Sequence, residues 1–119
     1  MQKAIQFMTN YQPGDLVLVA FPYTGNIQTK SRPAVVILDT GNSDVVVARV
    51  TTQIYQTPYD IQITDWQGAG LLAPSIVRLH KLATLEKILI RSHLGHLQIT
   101  DRQQVSALMQ QFYVMQIER

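Results

Sequence analysis

The sequence predicts a mainly β protein, a small closed or nearly closed barrel with one C-terminal α-helix. Short apolar runs alternate with turn residues over most of the chain, and near the C terminus the apolar period becomes helical. Several short strands at such spacing favour a barrel over a parallel α/β sheet. The length of 119 residues predicts one domain over 12–119, preceded by an N-terminal extension of residues 1–11.

The first three strands are predicted to form an antiparallel meander. The run LVLVAF (16–21) follows a Pro-Gly-Asp turn, and PAVVIL (33–38) ends in DTGNSD, whose residues suit a tight turn. The third run, VVVARVTTQI, spans 45–54.

Three further strands complete the predicted barrel. YDIQI (59–63) alternates apolar and polar residues, and a glycine-containing loop separates it from SIVRLHKL (75–82). A last short strand is expected around LGHL (94–97).

The C-terminal segment is predicted to be a helix with one buried stripe. Thr100 and Gln103 fit a capping box at its start. The methionines in the stripe are interpreted as core filling. The stripe residues are Val105, Leu108, Met109, Phe112 and Met115.

Composition excludes several classes of protein. There is no cysteine, so disulfides, thiolate metal sites and thiol nucleophiles are excluded. No apolar stretch approaches the length of a membrane span, and the N terminus lacks the features of a secretion signal, so we expect a cytoplasmic protein. The net charge of +2 permits a polyanionic partner without requiring one.

Strand alternation groups the polar residues that could carry chemistry. Arg49, Thr51 and Gln53 share one face of the third predicted strand. Arg78 and His80 share a face of the fifth strand, about 7 Å apart. The sequence therefore predicts a cation and an imidazole pointing outward side by side.

Cleavage of an RNA phosphodiester needs a base for the 2′-hydroxyl, an acid for the leaving oxygen and positive donors for the transition-state charge. Arg32, Thr51, Arg78 and His80 are the residue types that such a site would use, provided that the fold brings them together.

Other interpretations of the same residue types stay open. An arginine on a strand can lie along the surface or pair with a carboxylate. Two histidines, His93 and His96, do not by themselves predict a metal site. Trp66 could stack a base or anchor its loop.

Four segments, in order and at matching spacing, resemble the PemK/MazF family of bacterial toxins, which are RNA-cleaving endoribonucleases. The resemblance covers about 12–115 and is strongest in GDLVLVAFPYTG, KSRPAVVIL, VTTQI and GLLAPSIVRLHKLATLEK. It implies an SH3-like barrel with a C-terminal helix, acting as a homodimer restrained by an acidic antitoxin. It also implies cleavage of single-stranded RNA to a cyclic phosphate, without a metal or other cofactor.

The resemblance also implies site residues. The arginine before proline matches Arg32, the threonine of the third strand matches Thr51, and the arginine of the fifth strand matches Arg78. Many relatives carry an acidic residue at the place of His80, which puts a carboxylate base in doubt and makes the imidazole the candidate base. The RNA-binding residues are expected to be Thr24, Asn26, Lys30, Arg49, Thr52 and Gln53.

A second class of function uses the same fold. Gyrase-poisoning toxins have a similar barrel and cleave nothing, so fold alone does not separate a nuclease from a toxin that binds a protein target. Retention of Arg32, Thr51 and Arg78 favours the nuclease, because a gyrase binder has no need of this polar set.

Overall fold

The computed structural model describes residues 10–22 and 29–119, and these form one antiparallel sheet followed by a C-terminal helix. The order of strands across the sheet is β4-β5-β3-β2-β1-β6. The predicted fold class and the meander of β1, β2 and β3 are therefore confirmed. The strands are β1 (Asp15–Pro22), β2 (Thr29–Asp39), β3 (Asp44–Thr51), β4 (Asp60–Gln62), β5 (Ile76–Glu86) and β6 (Ile90–His96).

Several strand boundaries differ from those predicted. The third strand does not continue to Ile54, because the Thr51 hydroxyl accepts the N–H of Gln53 at 3.1 Å and turns the chain there. The fifth strand continues past Leu82 to Glu86, and β6 begins at Ile90, before the predicted residue 94. A 3₁₀ turn at Lys87–Leu89 joins β5 to β6.

Apolar residues fill both faces of the sheet because consecutive strand side chains point to opposite sides. The helix-side face carries a larger cluster, to which every strand, the loop after β4 and the C-terminal helix contribute. The opposite face carries a smaller cluster, which we call the barrel cluster. Its buried members are Val17, Val19, Ala34, Val36, Val45 and Val47.

The C-terminal helix, α1, spans Ile99–Met109 and starts differently from the prediction. Its N-cap is Gln98, without a side-chain cap bond, so the capping box at Thr100 is wrong. The buried carboxylate of Asp101 in the first turn instead accepts the N–H and the hydroxyl of Thr64, at 3.0 and 2.8 Å. It therefore fixes the helix to the loop that follows β4, and this loop partner cannot be seen in local sequence spacing.

A π-helical turn at Gln110–Val114 interrupts the helix before α2 (Met115–Glu118). Val105, Leu108 and Met109 pack on the larger cluster as predicted. Met115 is 58% exposed, so its predicted place in the buried stripe is wrong. The π turn contains an extra residue per turn and rotates everything after it away from the sheet.

The loop after β4 packs tightly on β6, so it connects the two edge strands of the sheet. A Cβ atom on Gly70 would collide with the carbonyl of Leu94, and one on Gly95 with the carbonyl of Ala69. Two glycines thus allow the backbones to touch. Trp66, in the same loop, packs on the larger cluster as an anchor.

The described part of the chain contains no helix that is both long and apolar enough to cross a membrane.

Candidate active site

Cross-strand register places the predicted arginines and Thr51 on one face of the sheet. Arg49 in β3 lies opposite both Ala34 in β2 and Arg78 in β5. Arg32 precedes Ala34 by two residues and Thr51 follows Arg49 by two, so strand alternation puts both on the face that carries Arg49. Opposed residues share a face, and neighbouring strands lie about 4.8 Å apart. Three adjacent strands therefore bring these side chains together.

This polar set continues the face of the barrel cluster. Val19 of that cluster pairs with Arg32. Phe21 pairs with Lys30, which is the next pair on the same face. The Arg49 guanidinium lies 5.8 Å from the centre of the Phe21 ring. The apolar half of this face forms the barrel cluster, and its other end carries cations.

A pocket of about 220 Å³ opens at this cationic end. Phe21, Arg49 and Lys81 line it, together with apolar residues of β3 and β5. Two positive side chains at one opening favour an anionic ligand such as a phosphate.

Arg78 is held by two other side chains. Its Nε donates to Asp60 Oδ1 at 2.9 Å, and only 13% of the Arg78 side chain and 2% of the Asp60 side chain are exposed. The guanidinium carbon lies 3.6 Å from the centre of the Tyr55 ring. β4 thus supplies Arg78 with a carboxylate partner, which is one of the alternatives that the sequence left open.

The carboxyl of Asp60 is held in its ionised form. Burial opposes ionisation, but hydrogen bonds from Thr57 and Arg78 outweigh it and keep the pKa below its ordinary value. Asp60 therefore carries a negative charge beside Arg78 at neutral pH.

His80 lies in a bulge of β5. Arg49 pairs with Arg78 while the preceding Ala48 pairs with Leu82, so three residues of β5 are inserted between adjacent pairs. The bulge breaks the regular alternation on which the side-by-side placement of Arg78 and His80 depends. The exposed ring of His80 lies 5.2 Å from that of Tyr59, and Tyr59 in turn contacts Phe112 of the C-terminal helix.

The other predicted residues are spread around this end of the sheet. Arg32 is partly buried, so it is less solvated than expected for a strand entrance, and Lys30 is exposed. Thr52 and Gln53 are exposed in the bend after β3. The predicted RNA contacts Thr24 and Asn26 lie outside the described residues.

A second pocket, of about 370 Å³, lies beside Asp60. Thr52, Tyr55 and Gln62 also line it. The pocket therefore adjoins the predicted site on the side of the bend that follows β3.

Sequence reasoning missed Tyr55, Asp60 and Lys81. Asp60 meets Arg78 through the pairing of β4 with β5, across a separation of 18 residues. Lys81 reaches the 220 Å³ pocket beside Arg49 in the region where β5 bulges. The alternation in YDIQI marked Asp60 as polar, but only the register of the strands gives it a partner.

Within the described ranges, no group of three or more acidic or histidine side chains is placed to hold a metal ion. His93, which sequence spacing left as a doubtful ligand, lies with Nε2 3.5 Å from Asp15 Oδ2. Its neighbour is thus a carboxylate on the adjacent strand.

Comparison with known proteins identifies a matching family. A family model described as PemK-like, MazF-like toxin of type II toxin–antitoxin system matches residues 12–113. Among curated protein sequences, none matches the chain significantly.

Several solved structures share the fold. MazF from Deinococcus radiodurans (form I) is 20% identical, with 89% of this chain and 100% of that one covered and a TM-score of 0.67. The MazE–MazF complex of the same organism (form II) is 19% identical, with 88% of this chain and 96% of that one covered and a TM-score of 0.71. A mycobacterial endoribonuclease in complex with its cognate antitoxin is 17% identical, with 86% of this chain and 93% of that one covered and a TM-score of 0.68. At these identities the likeness shows the fold alone.

Proposed function

The chain belongs to the family of PemK-like, MazF-like toxins of type II toxin–antitoxin systems, and on that premise we propose that it is a sequence-selective endoribonuclease. Its substrate is single-stranded RNA, including messenger RNA in the cytoplasm. Two of the structures that share its fold are endoribonucleases.

One observation carries this proposal. Arg32, Arg49, Thr51 and Arg78 come from three adjacent strands and share one face of the sheet. Guanidinium groups match the oxygens of a phosphate in pairs and stay charged at any working pH. A cluster of them is suited to hold a phosphodiester and to stabilise the charge that builds up during its cleavage.

We assign roles within this set. The 2′-oxygen of the RNA attacks phosphorus, the bond from phosphorus to the 5′ oxygen breaks, and a 2′,3′-cyclic phosphate is left. His80 is the proposed base that takes the 2′-hydroxyl proton, and the 5′ oxygen takes up a proton from solvent. Arg32 and Arg78 hold the phosphate oxygens, and the hydroxyl of Thr51 donates to the same group.

The remaining predicted residues extend the RNA path around the proposed site. Lys30 and Arg49 supply charge to the backbone, while the exposed Thr52 and Gln53 offer hydrogen bonds to the RNA. Thr24 and Asn26 complete this proposed set.

The proposed partners are a second copy of the chain and an acidic antitoxin. Complexes with an antitoxin are known for two structures that share the fold. An anionic, extended antitoxin segment would cover the cationic face that RNA needs. Saturating antitoxin should therefore abolish RNA binding, and unchanged RNA affinity would exclude this mode of inhibition.

The test is incubation of the purified chain with a long single-stranded RNA, with and without a metal chelator. We expect cleavage at defined sites in both conditions, and cyclic phosphate ends. Arg32→Ala, purified identically, is the control for contaminating nuclease. Intact RNA after incubation with folded parent would overturn the proposal and leave the non-catalytic toxin as the alternative.

A further inference from the structure

The carboxylate of Asp60 is the centre of a small hydrogen-bond network. Its Oδ1 accepts from Arg78 Nε at 2.9 Å. Its Oδ2 accepts from the hydroxyl of Thr57 at 2.6 Å and from the N–H of Thr57 at 3.1 Å. Donors thus fix both oxygens of a side chain that is 2% exposed, so the carboxylate cannot rotate.

The fixed carboxylate restrains Arg78 in turn. Arginine carries five N–H donors, and the contact with Asp60 uses the single donor on Nε. The remaining four donors belong to the two terminal Nη groups. The Tyr55 ring lies 3.6 Å from the guanidinium carbon, which restrains the group from a second direction.

These restraints set a particular orientation. Because Nε–H is donated to Asp60, the edge formed by the two Nη groups is a different edge of the guanidinium from the one that Asp60 contacts. The Nη edge is a bidentate surface that can bind two phosphate oxygens at once. A side chain already held in this way loses little conformational freedom when the ligand binds.

We propose that Asp60 is a positioning residue for Arg78 in RNA cleavage, with Thr57 holding Asp60 in place. The inference rests on the proposed function and deepens it. Asp60 touches no reacting atom, and it acts by presenting the Nη edge of Arg78 to the phosphate.

The proposal separates two kinetic effects. Asp60 brings a negative charge near the cationic face, so Asp60→Asn should bind RNA as tightly as the parent or more tightly. The loosened guanidinium should nevertheless stabilise the transition state less well. We therefore expect the single-turnover rate at saturating RNA to fall at least tenfold, with KM unchanged or lower.

A matched control exists in the same chain. Asp39 pairs with Lys87 at 2.9 Å, and both of these side chains are also buried. Asp39→Asn breaks a comparable ion pair at the other end of β2, so it reports the effect of lost stability alone. Rates are compared only for folded protein, verified by circular dichroism. We expect Asp39→Asn to keep the parental rate within twofold.

A double-mutant cycle shows whether Asp60 acts through Arg78. In the Arg78→Ala background, Asp60→Asn should produce no further loss of rate. A full additional loss there, or a parental rate in the single Asp60→Asn variant, would overturn the positioning role.

A second pair of variants covers the case in which Asp60→Asn does not fold. Thr57→Val removes the hydroxyl donor to Asp60 and leaves the backbone donor in place. Thr40→Val is its control, since Thr40 is likewise exposed and its hydroxyl serves a turn, donating to the carbonyl of Asp44 at 2.9 Å. We expect a lower rate for Thr57→Val alone, and equal rates for the two variants would count against the proposal.

An inert RNA separates this inference from the proposed function. The probe is a single-stranded RNA with 2′-deoxyribose at the cleavage position, added to ¹⁵N-labelled parent and followed by NMR of arginine side chains. We expect the Arg78 signals to shift while its Nε–H stays protected from exchange. If the Arg78 signals shift but the parent does not cleave normal RNA, the proposed nuclease function is wrong, while the placement of Arg78 toward the RNA phosphate is supported. Unshifted Arg78 signals would contradict the positioning role of Asp60, even if the parent cleaves RNA.

Discussion

Tyr113 donates its phenolic hydrogen to the backbone carbonyl of Leu79 at 2.7 Å and so joins the C-terminal helix to the bulge of β5. The donor lies in the π-helical turn and the acceptor lies between Arg78 and His80. The N–H of Leu79 donates to the carbonyl of Tyr59 at 2.9 Å. Both backbone groups of the bulged residue are thus satisfied by other elements, which gives the bulge one fixed shape.

Removal of the Tyr113 hydroxyl should destabilise the protein. Tyr113→Phe leaves the Leu79 carbonyl without this donor, so we expect the free energy of unfolding to fall by about 1 kcal/mol in a urea titration. Tyr59→Phe is the control, since its hydroxyl has no hydrogen bond among the described residues. Equal stability of Tyr113→Phe and the parent would contradict the prediction.

Arg32→Ala should abolish RNA cleavage and leave the fold intact. Loss of a phosphate donor is expected to lower the single-turnover rate by about a hundredfold or more. Because Arg32 is partly buried, the cost in stability should be about 1 kcal/mol, more than for a fully solvated arginine. Arg91→Ala, at an exposed position of the edge strand β6, is the control and should keep full activity. A parental rate for Arg32→Ala would remove it from the site.

The proposed base, His80, is tested by the pH dependence of the single-turnover rate. A general base must be unprotonated to act, so the rate of the parent should show an acid limb. His80→Ala should lose that limb and about a hundredfold in rate. His93→Ala removes an imidazole at the β1–β6 edge and should change neither. An unchanged profile in His80→Ala would leave Arg32, Thr51 and Arg78 as the proposed site.

Acid should destabilise the fold through Asp39. Burial raises the pKa of this carboxyl, but hydrogen bonds from Lys87 and from the N–H groups of Tyr11 and Gly41 outweigh it, so the pKa is lowered. A depressed folded pKa contributes stability above the unfolded value of 3.8, and this is lost as the pH falls through the folded pKa. Urea titrations from pH 6 to about pH 2 should show this loss in the parent.

Asp39→Asn should remove that part of the acid dependence. The variant should also be less stable at neutral pH, by about 3 kcal/mol, because the Lys87 ammonium is left buried without its carboxylate. The same slope with pH in variant and parent would show that Asp39 is not linked to folding.

The chain should form a homodimer. Light scattering at micromolar concentration is expected to give twice the chain mass of 13.5 kDa. A species of 13.5 kDa alone would contradict the proposed dimer.

The sequence by itself determined the fold class, the strand order of the meander and the polar face of β3. Apolar alternation decides which side of a strand faces the core, and Val77 and Leu79 join the larger, helix-side cluster while the intervening Arg78 faces Asp60. The helix was predicted from the period of Val105, Leu108 and Met109 for the same reason. These features depend on neighbours in the chain, which the sequence displays directly.

Only the tertiary structure decided the partners of the site residues. Asp60 meets Arg78, and Asp101 meets Thr64, across 18 and 37 residues of chain. The bulge that turns His80 toward Tyr59 arises from the register between β3 and β5. Such contacts depend on how strands pair and where a ladder slips, which is set by packing of the whole sheet. The sequence therefore identified the charged residues, and the fold determined which of their side chains contact each other.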